Sequence, residues 1–205
     1  MTEKERHSIV VGRRNVLKTC VAVGGVALLS GADAFCEKVA GVAGEPLHRE
    51  GGITPPCAAS REDFLRRCTA CGLCIEKCPT GVLRPATDEY GIANAMKPTM
   101  VFDKSFCRTV CNRCGIVCPT GALRPLSESQ RKRNAVGKAE INLSACISAA
   151  RGVSCGVCSR RCPVEAIKMS EVGERERPSV ETFRCIGCGA CEYICPADAI
   201  IVNPV

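Results

Sequence analysis

The sequence predicts an α+β protein of two similar halves, each built from two copies of one small cysteine-loop unit. Three observations predict it. Cysteines fall in four runs of four. Each run is followed by a short β-like segment, and all but the first are preceded by one. Aromatic side chains are scarce: 205 residues include no Trp, two Tyr and five Phe, so there is little aromatic core and something else must organise the chain.

The runs come first in the argument. Run one is Cys68, Cys71, Cys74, Cys78 and Pro79; run two is Cys107, Cys111, Cys114, Cys118 and Pro119. Run three is Cys146, Cys155, Cys158, Cys162 and Pro163; run four is Cys185, Cys188, Cys191, Cys195 and Pro196. Only Cys20, Cys36 and Cys57 stand outside them. Cysteines this close on a loop do not meet disulfide geometry with one another, but they converge on a common centre. A cubane cluster presents iron at tetrahedral corners, and cysteines at i, i+3 and i+6 reach three of them. The fourth, before proline, points away and ligates a neighbouring cluster, as in two-cluster bacterial ferredoxins. Proline there removes an N–H and fixes φ, turning the chain. A glycine follows a run cysteine each time (Gly72, Gly115, Gly156, Gly189), which lets backbone N–H groups approach sulfur and tune potential.

Runs one and four match C-x₂-C-x₂-C-x₃-C-P fully, and this pattern is specific. Run two has three residues in its first gap, and run three has "I-S-A-A-R-G-V-S" between Cys146 and Cys155. The expectation is four [4Fe-4S] clusters on all the run cysteines. If Cys146 stays a free thiol, the third centre is a [3Fe-4S] cluster instead. Three cysteines in seven residues plus C-P is a poor zinc pattern. His7 and His48 lie far from every run, so Rieske ligation has no support. The fold class becomes α+β with two bacterial two-[4Fe-4S] ferredoxin-like halves.

The elements follow in chain order. Residues 1–34 read as an export signal: Arg13–Arg14, a short apolar stretch at 19–30 and "A-D-A" at 32–34. The apolar stretch is too short to span a bilayer comfortably. The arginine pair resembles the twin-arginine signal, with Leu17 and Lys18 fitting and Gly12 and Val16 departing from it. That route carries folded cargo, which suits clusters assembled in the reducing cytoplasm, and it places the protein in the periplasm or on the periplasmic face of the membrane. Phe35 before Cys36 speaks against a lipoprotein signal. Residues 35–59, rich in Gly, Pro and Ala, form a linker. Ser60 caps a helix over 60–67, with Asp63 three residues on.

The first half is expected over 60–126 with runs one and two, and the second over 139–205 with runs three and four. Strand candidates are 81–84, 99–103, 121–124, 139–143, 166–169, 179–183 and 199–202. The unit is strand, cysteine loop, short helix after the proline, strand, with a period of about forty residues. Adjacent runs pair in one arrangement; in the alternative, run one pairs with four and two with three. Between the halves, 127–138 is a basic linker whose Arg131, Lys132 and Arg133 are either solvated or a docking patch for an acidic redox partner.

The formal charge of +7 counts every thiol as neutral. Four thiolate-bound clusters bring it close to zero, so the basic balance is no argument for nucleic acid. There is no nucleotide loop, no histidine acid–base pair and no site for a small-molecule substrate, so catalysis by the isolated chain is not expected. Cys36 and Cys57 could form a disulfide outside the cytoplasm.

Residues 46–205 resemble the ferredoxin-type proteins of the NapF, NapG and MauM group. The resemblance rests on "T-P-P" followed by "E-D-F-L-R-R-C-T-A-C-G-L-C", on "C-R-T-V-C-N-R-C-G-I-V-C-P-T-G-A-L-R-P-L" and on the long-gap "C-I-S-A-A-R-G-V-S-C-G-V-C-S-R-R-C-P". It implies that Cys146 is a ligand. It also implies electron transfer in the cell envelope, between a membrane quinol-oxidising partner and an exported oxidoreductase, after passage through the twin-arginine translocase. The second function class it implies is a NapF-like assembly factor for a molybdoenzyme.

Overall fold

Strand pairing reveals the internal repeat. The computed structural model describes residues 47–173 and 175–205. The expected signal 1–34, linker residues 35–46, Cys20 and Cys36 lie outside the described residues. In the first half, β1 (Leu83–Pro85) follows run one and pairs antiparallel with β2 (Pro98–Met100), which precedes run two. In the second half, β4 (Ile167–Val172) follows run three and pairs with β5 (Arg175–Val180) ahead of run four, in register from Ile167 opposite Val180 to Val172 opposite Arg175. The second half has a further pair: β3 (Gly137–Ile141), before run three, with β6 (Ile200–Pro204), after run four.

The expected strand at 121–124 does not form, and the reason is the missing partner. Its counterpart β6 pairs with the strand before run three. The position before run one is instead occupied by helix α1 (Arg61–Arg67), which starts where Ser60 accepts a hydrogen bond from the Asp63 N–H. Segment 121–124 therefore makes only a single bridge, Leu123 to Ala58, with Arg124 N–H donating to the Cys57 carbonyl at 2.8 Å.

The short helices also differ from expectation. They come before the proline and carry the third cysteine of each run: α2 (Leu73–Glu76), α3 (Arg113–Ile116), α6 (Val157–Arg161) and α7 (Ala190–Ile194). A residue before proline disfavours the α conformation. Accordingly Cys162 and Cys195 are extended at the C-termini of α6 and α7. The stretch 127–138, expected as a linker, contains α4 (Glu128–Arg133), closed by a capping box between Ser127 and Gln130, and the first residues of β3. Helix α5 (Ile147–Arg151) takes up the long gap of run three and ends on Gly152 in the left-handed region.

The described residues belong to one compact unit. One apolar cluster runs through both halves, from Ile53, Phe64 and Met100 to Ala166, Ile167 and Val202, and many run cysteines pack within it. Arg49 ties the two halves together. Arg49 stacks on Phe102 of the first half and reaches the second, donating to the Val202 carbonyl at 2.9 Å and pairing with Glu192. Among the described residues no helix is long and apolar enough to cross a membrane.

Candidate metal centres

All the run cysteines line four small cavities. The first is lined by Cys68, Cys71 and Cys74 of run one with Cys118 of run two. The second takes Cys107, Cys111 and Cys114 of run two with Cys78 of run one. The third has Cys146, Cys155 and Cys158 of run three with Cys195 of run four, and the fourth has Cys185, Cys188 and Cys191 of run four with Cys162 of run three. Adjacent runs are thus crossed, and the nested arrangement is not adopted. Cys146 joins its quartet because α5 folds the extra residues away.

Crossing follows from the local geometry. The first three cysteines wrap one loop and the following helix turn. The extended fourth cysteine then sends its side chain across to the neighbouring loop, and proline directs the chain into the next strand. The crossed sulfurs receive hydrogen bonds. Ala166 N–H donates to Cys162 Sγ at 3.2 Å and Ala199 N–H to Cys195 Sγ at 3.3 Å. The Thr80 hydroxyl lies 3.6 Å from Cys78 Sγ, and that of Thr120 lies 3.6 Å from Cys118 Sγ. Burial raises the thiol pKa of Cys78 and Cys118, but the threonine hydroxyls and nearby amides outweigh it and lower both on balance. At other positions burial prevails, pushing Cys74, Cys107 and Cys158 up to about 11 and Cys188 to about 12.

The expected role of the four glycines divides. Gly72, Gly156 and Gly189 follow the second cysteine of a run and adopt positive φ at the helix start. Gly115 follows the third cysteine of run two instead. A Cβ there would lie 2.6 Å from the backbone of Arg124 and Pro125, so close packing, not a left-handed turn, requires glycine.

Two residues near the second cavity were not identified from the pattern. Cys57 is buried, with its thiol 3.5 Å from the Asn112 side-chain oxygen. Arg131 is 5 % exposed and points inward, leaving only Lys132 and Arg133 of the basic run in solvent. The expected three-residue basic patch is therefore incomplete. A six-residue helix with no apolar side chain gives no periodicity from which an inward face could be read.

The donor set fits an iron–sulfur group. Each cavity offers four sulfur donors, and none has a His, Asp or Glu in its lining. Among the described residues no three His, Cys, Asp or Glu side chains close on a single-ion position. The sulfurs surround a volume, not a point. Fold and site together define an iron–sulfur protein of the ferredoxin type, built as a tandem of two similar halves.

Comparison with known proteins agrees. The model of the 4Fe-4S dicluster domain matches residues 67–122 and again 151–199, and the chain belongs to that ferredoxin-type family. It is 32 % identical over 183 residues to the methylamine utilization ferredoxin-type protein MauM of Methylorubrum extorquens, covering 84 % of this chain and 79 % of that one. The MauM proteins of Methylophilus methylotrophus and Methylobacillus flagellatus are 32 % and 34 % identical, over 68 % and 65 % of this chain. The matched region spans 64 % and 59 % of the length of those two relatives.

Proposed function

We propose that the chain carries four [4Fe-4S] clusters, one in each crossed quartet, and passes electrons between protein partners in the cell envelope. The observation that carries the proposal is the crossing itself: every cavity takes three cysteines of one run and the last of its neighbour. A bound cluster supplies a one-electron centre that changes shape little on reduction. The protein's part is to hold sulfur, exclude water and set the spacing between centres. Val82 and Leu83 wall the second cavity, Ala122 and Leu123 the first, and Ile147 and Ala199 the third.

The spatial order favours a relay. The first and second quartets are tied by Cys78 and Cys118, and the third and fourth by Cys162 and Cys195. Between the halves, Cys107 N–H donates to the Cys188 carbonyl at 2.9 Å, joining the second quartet to the fourth. The order in space is therefore first, second, fourth, third. Cys71, in the first quartet, is exposed and offers a terminal exchange point. The pair Arg13–Arg14 is the basis for export by the twin-arginine translocase, and the likeness to ferredoxin-type proteins is the basis for redox protein partners, here a quinol-oxidising membrane protein and an exported oxidoreductase.

Anaerobic purification from the periplasm tests the proposal. About sixteen iron and sixteen acid-labile sulfide per chain are expected, from four cubanes. Folded chain with about four zinc and no sulfide would overturn it. A purely cytoplasmic, uncut form would remove the envelope role and leave the cluster assignment standing.

A further inference from the structure

We infer that Arg131 is a positioning residue that holds a fixed positive charge against the second quartet and raises the reduction potential of the cluster bound there. This rests on the four-cluster reading above. Helix α4 delivers the side chain inward. Its Nη2 donates to Cys107 Sγ at 3.5 Å and to the Arg108 carbonyl at 2.9 Å. Its Nε donates to the Thr109 carbonyl at 3.1 Å, and Nη1 reaches Cys57 Sγ at 3.8 Å.

The partners matter as much as the burial. Among the described residues no Asp or Glu forms an ion pair with Arg131. A buried guanidinium without a counter-charge is strongly unfavourable. Here the carbonyls satisfy its hydrogen bonds, and negative charge can come only from the sulfur side. Arginine keeps its proton throughout the working pH range, so the charge is permanent. Reduction adds one electron, and one negative charge, to the thiolate-bound cluster. A cation in hydrogen-bond contact with a ligand sulfur stabilises that added charge, so the potential rises.

The effect is local to one centre. Among the described residues Arg131 is the only arginine whose side chain donates to a cysteine sulfur. It acts through Cys107, the residue whose N–H meets Cys188 of the fourth quartet. The centre whose potential Arg131 raises then sits at the junction of the two halves.

The test is a dithionite titration of the purified full chain under argon, followed by electron paramagnetic resonance, in wild type, Arg131→Gln and Arg131→Lys. In Arg131→Gln one midpoint potential should fall by about 59 mV, a tenfold loss in a one-electron reduction equilibrium. The other three should stay in place, and Arg131→Lys should restore most of the loss. Full iron content with no midpoint moved, or all four moved equally, overturns the inference. If Arg131→Gln loses iron, the neutral but more space-filling Arg131→Met takes its place in the same titration, and full iron there with no midpoint lowered overturns the inference. Failure of the underlying reading looks different: wild type itself would lack four reducible clusters.

Discussion

At Gly189, packing and backbone conformation act together. Its φ is +79°, and a Cβ there would sit 2.1 Å from the Phe102 ring. Gly72 occupies the matching place in run one with φ +76°, yet a Cβ there meets nothing within 4 Å. The two positions separate conformational strain from steric conflict. A non-glycine residue in the left-handed region costs about 1–2 kcal/mol, and overpacking a filled site adds about 1–3 kcal/mol. Gly72→Ala is expected to lower stability by about 1 kcal/mol with full iron retained. Gly189→Ala is expected to cost about 3 kcal/mol and to release iron from the fourth quartet, because Cys188 and Cys191 flank the displaced backbone. Urea midpoints and iron per chain distinguish the two outcomes; equal behaviour of the variants would show that the Phe102 contact is unimportant.

Among the elements, the strap at Arg49 joins what the repeats leave separate. Glu192 is largely buried in α7, and burial raises its pKa while Arg49 opposes that shift. Its other oxygen accepts the Val202 N–H at 2.7 Å. Arg49→Ala removes the cation, the contact with Phe102 and the bond to the Val202 carbonyl, leaving a carboxylate without its partner. A loss of about 2 kcal/mol is expected. Glu192→Gln added to Arg49→Ala should recover part of it, and strictly additive losses in a double-mutant cycle would refute the coupling. This strap shows where sequence patterns stop. Helix α1 was legible because Ser60 and Asp63 are local signals, and the segments after runs three and four located β4 and β6; the strand expected at 179–183 forms only at its first two residues, because β5 lies earlier, at Arg175–Val180. Segment 121–124 (G-A-L-R) follows its run as A-I-I-V at 199–202 does and still lacks a strand, because pairing needs a partner that α1 displaces. The sulfur spacing singled out the cysteines that the structure gathers into quartets, while the choice between crossed and nested quartets depended on contacts such as Cys78 with Cys107, which no local pattern encodes. Arg131 read as part of an exposed run until helix α4 turned it inward.

Across the described residues, regular secondary structure is short and by itself holds little of the chain together. The sheets have two strands each, and the helices around the quartets have four or five residues. Such helices are too short to persist alone, and isolated two-stranded sheets are marginal. Their side chains converge on an apolar cluster in which Cys57, Cys74, Cys114, Cys185 and Cys191 are themselves buried. Taking the metal away would leave a core part-lined with thiols that are no longer drawn together, so metal binding and folding should be one equilibrium. Anaerobic chelation in the presence of a thiol reductant is expected to abolish visible absorbance and far-ultraviolet ellipticity in parallel. Brief exposure to oxygen should act unevenly at first, because Cys71 is exposed whereas Cys185 and Cys191 are buried. The first quartet should lose iron before the fourth, and Mössbauer spectra at partial bleaching would record that order. A bleached chain that kept its native ellipticity would mean that the apolar cluster suffices for the fold, and that the quartets are placed by it rather than the reverse.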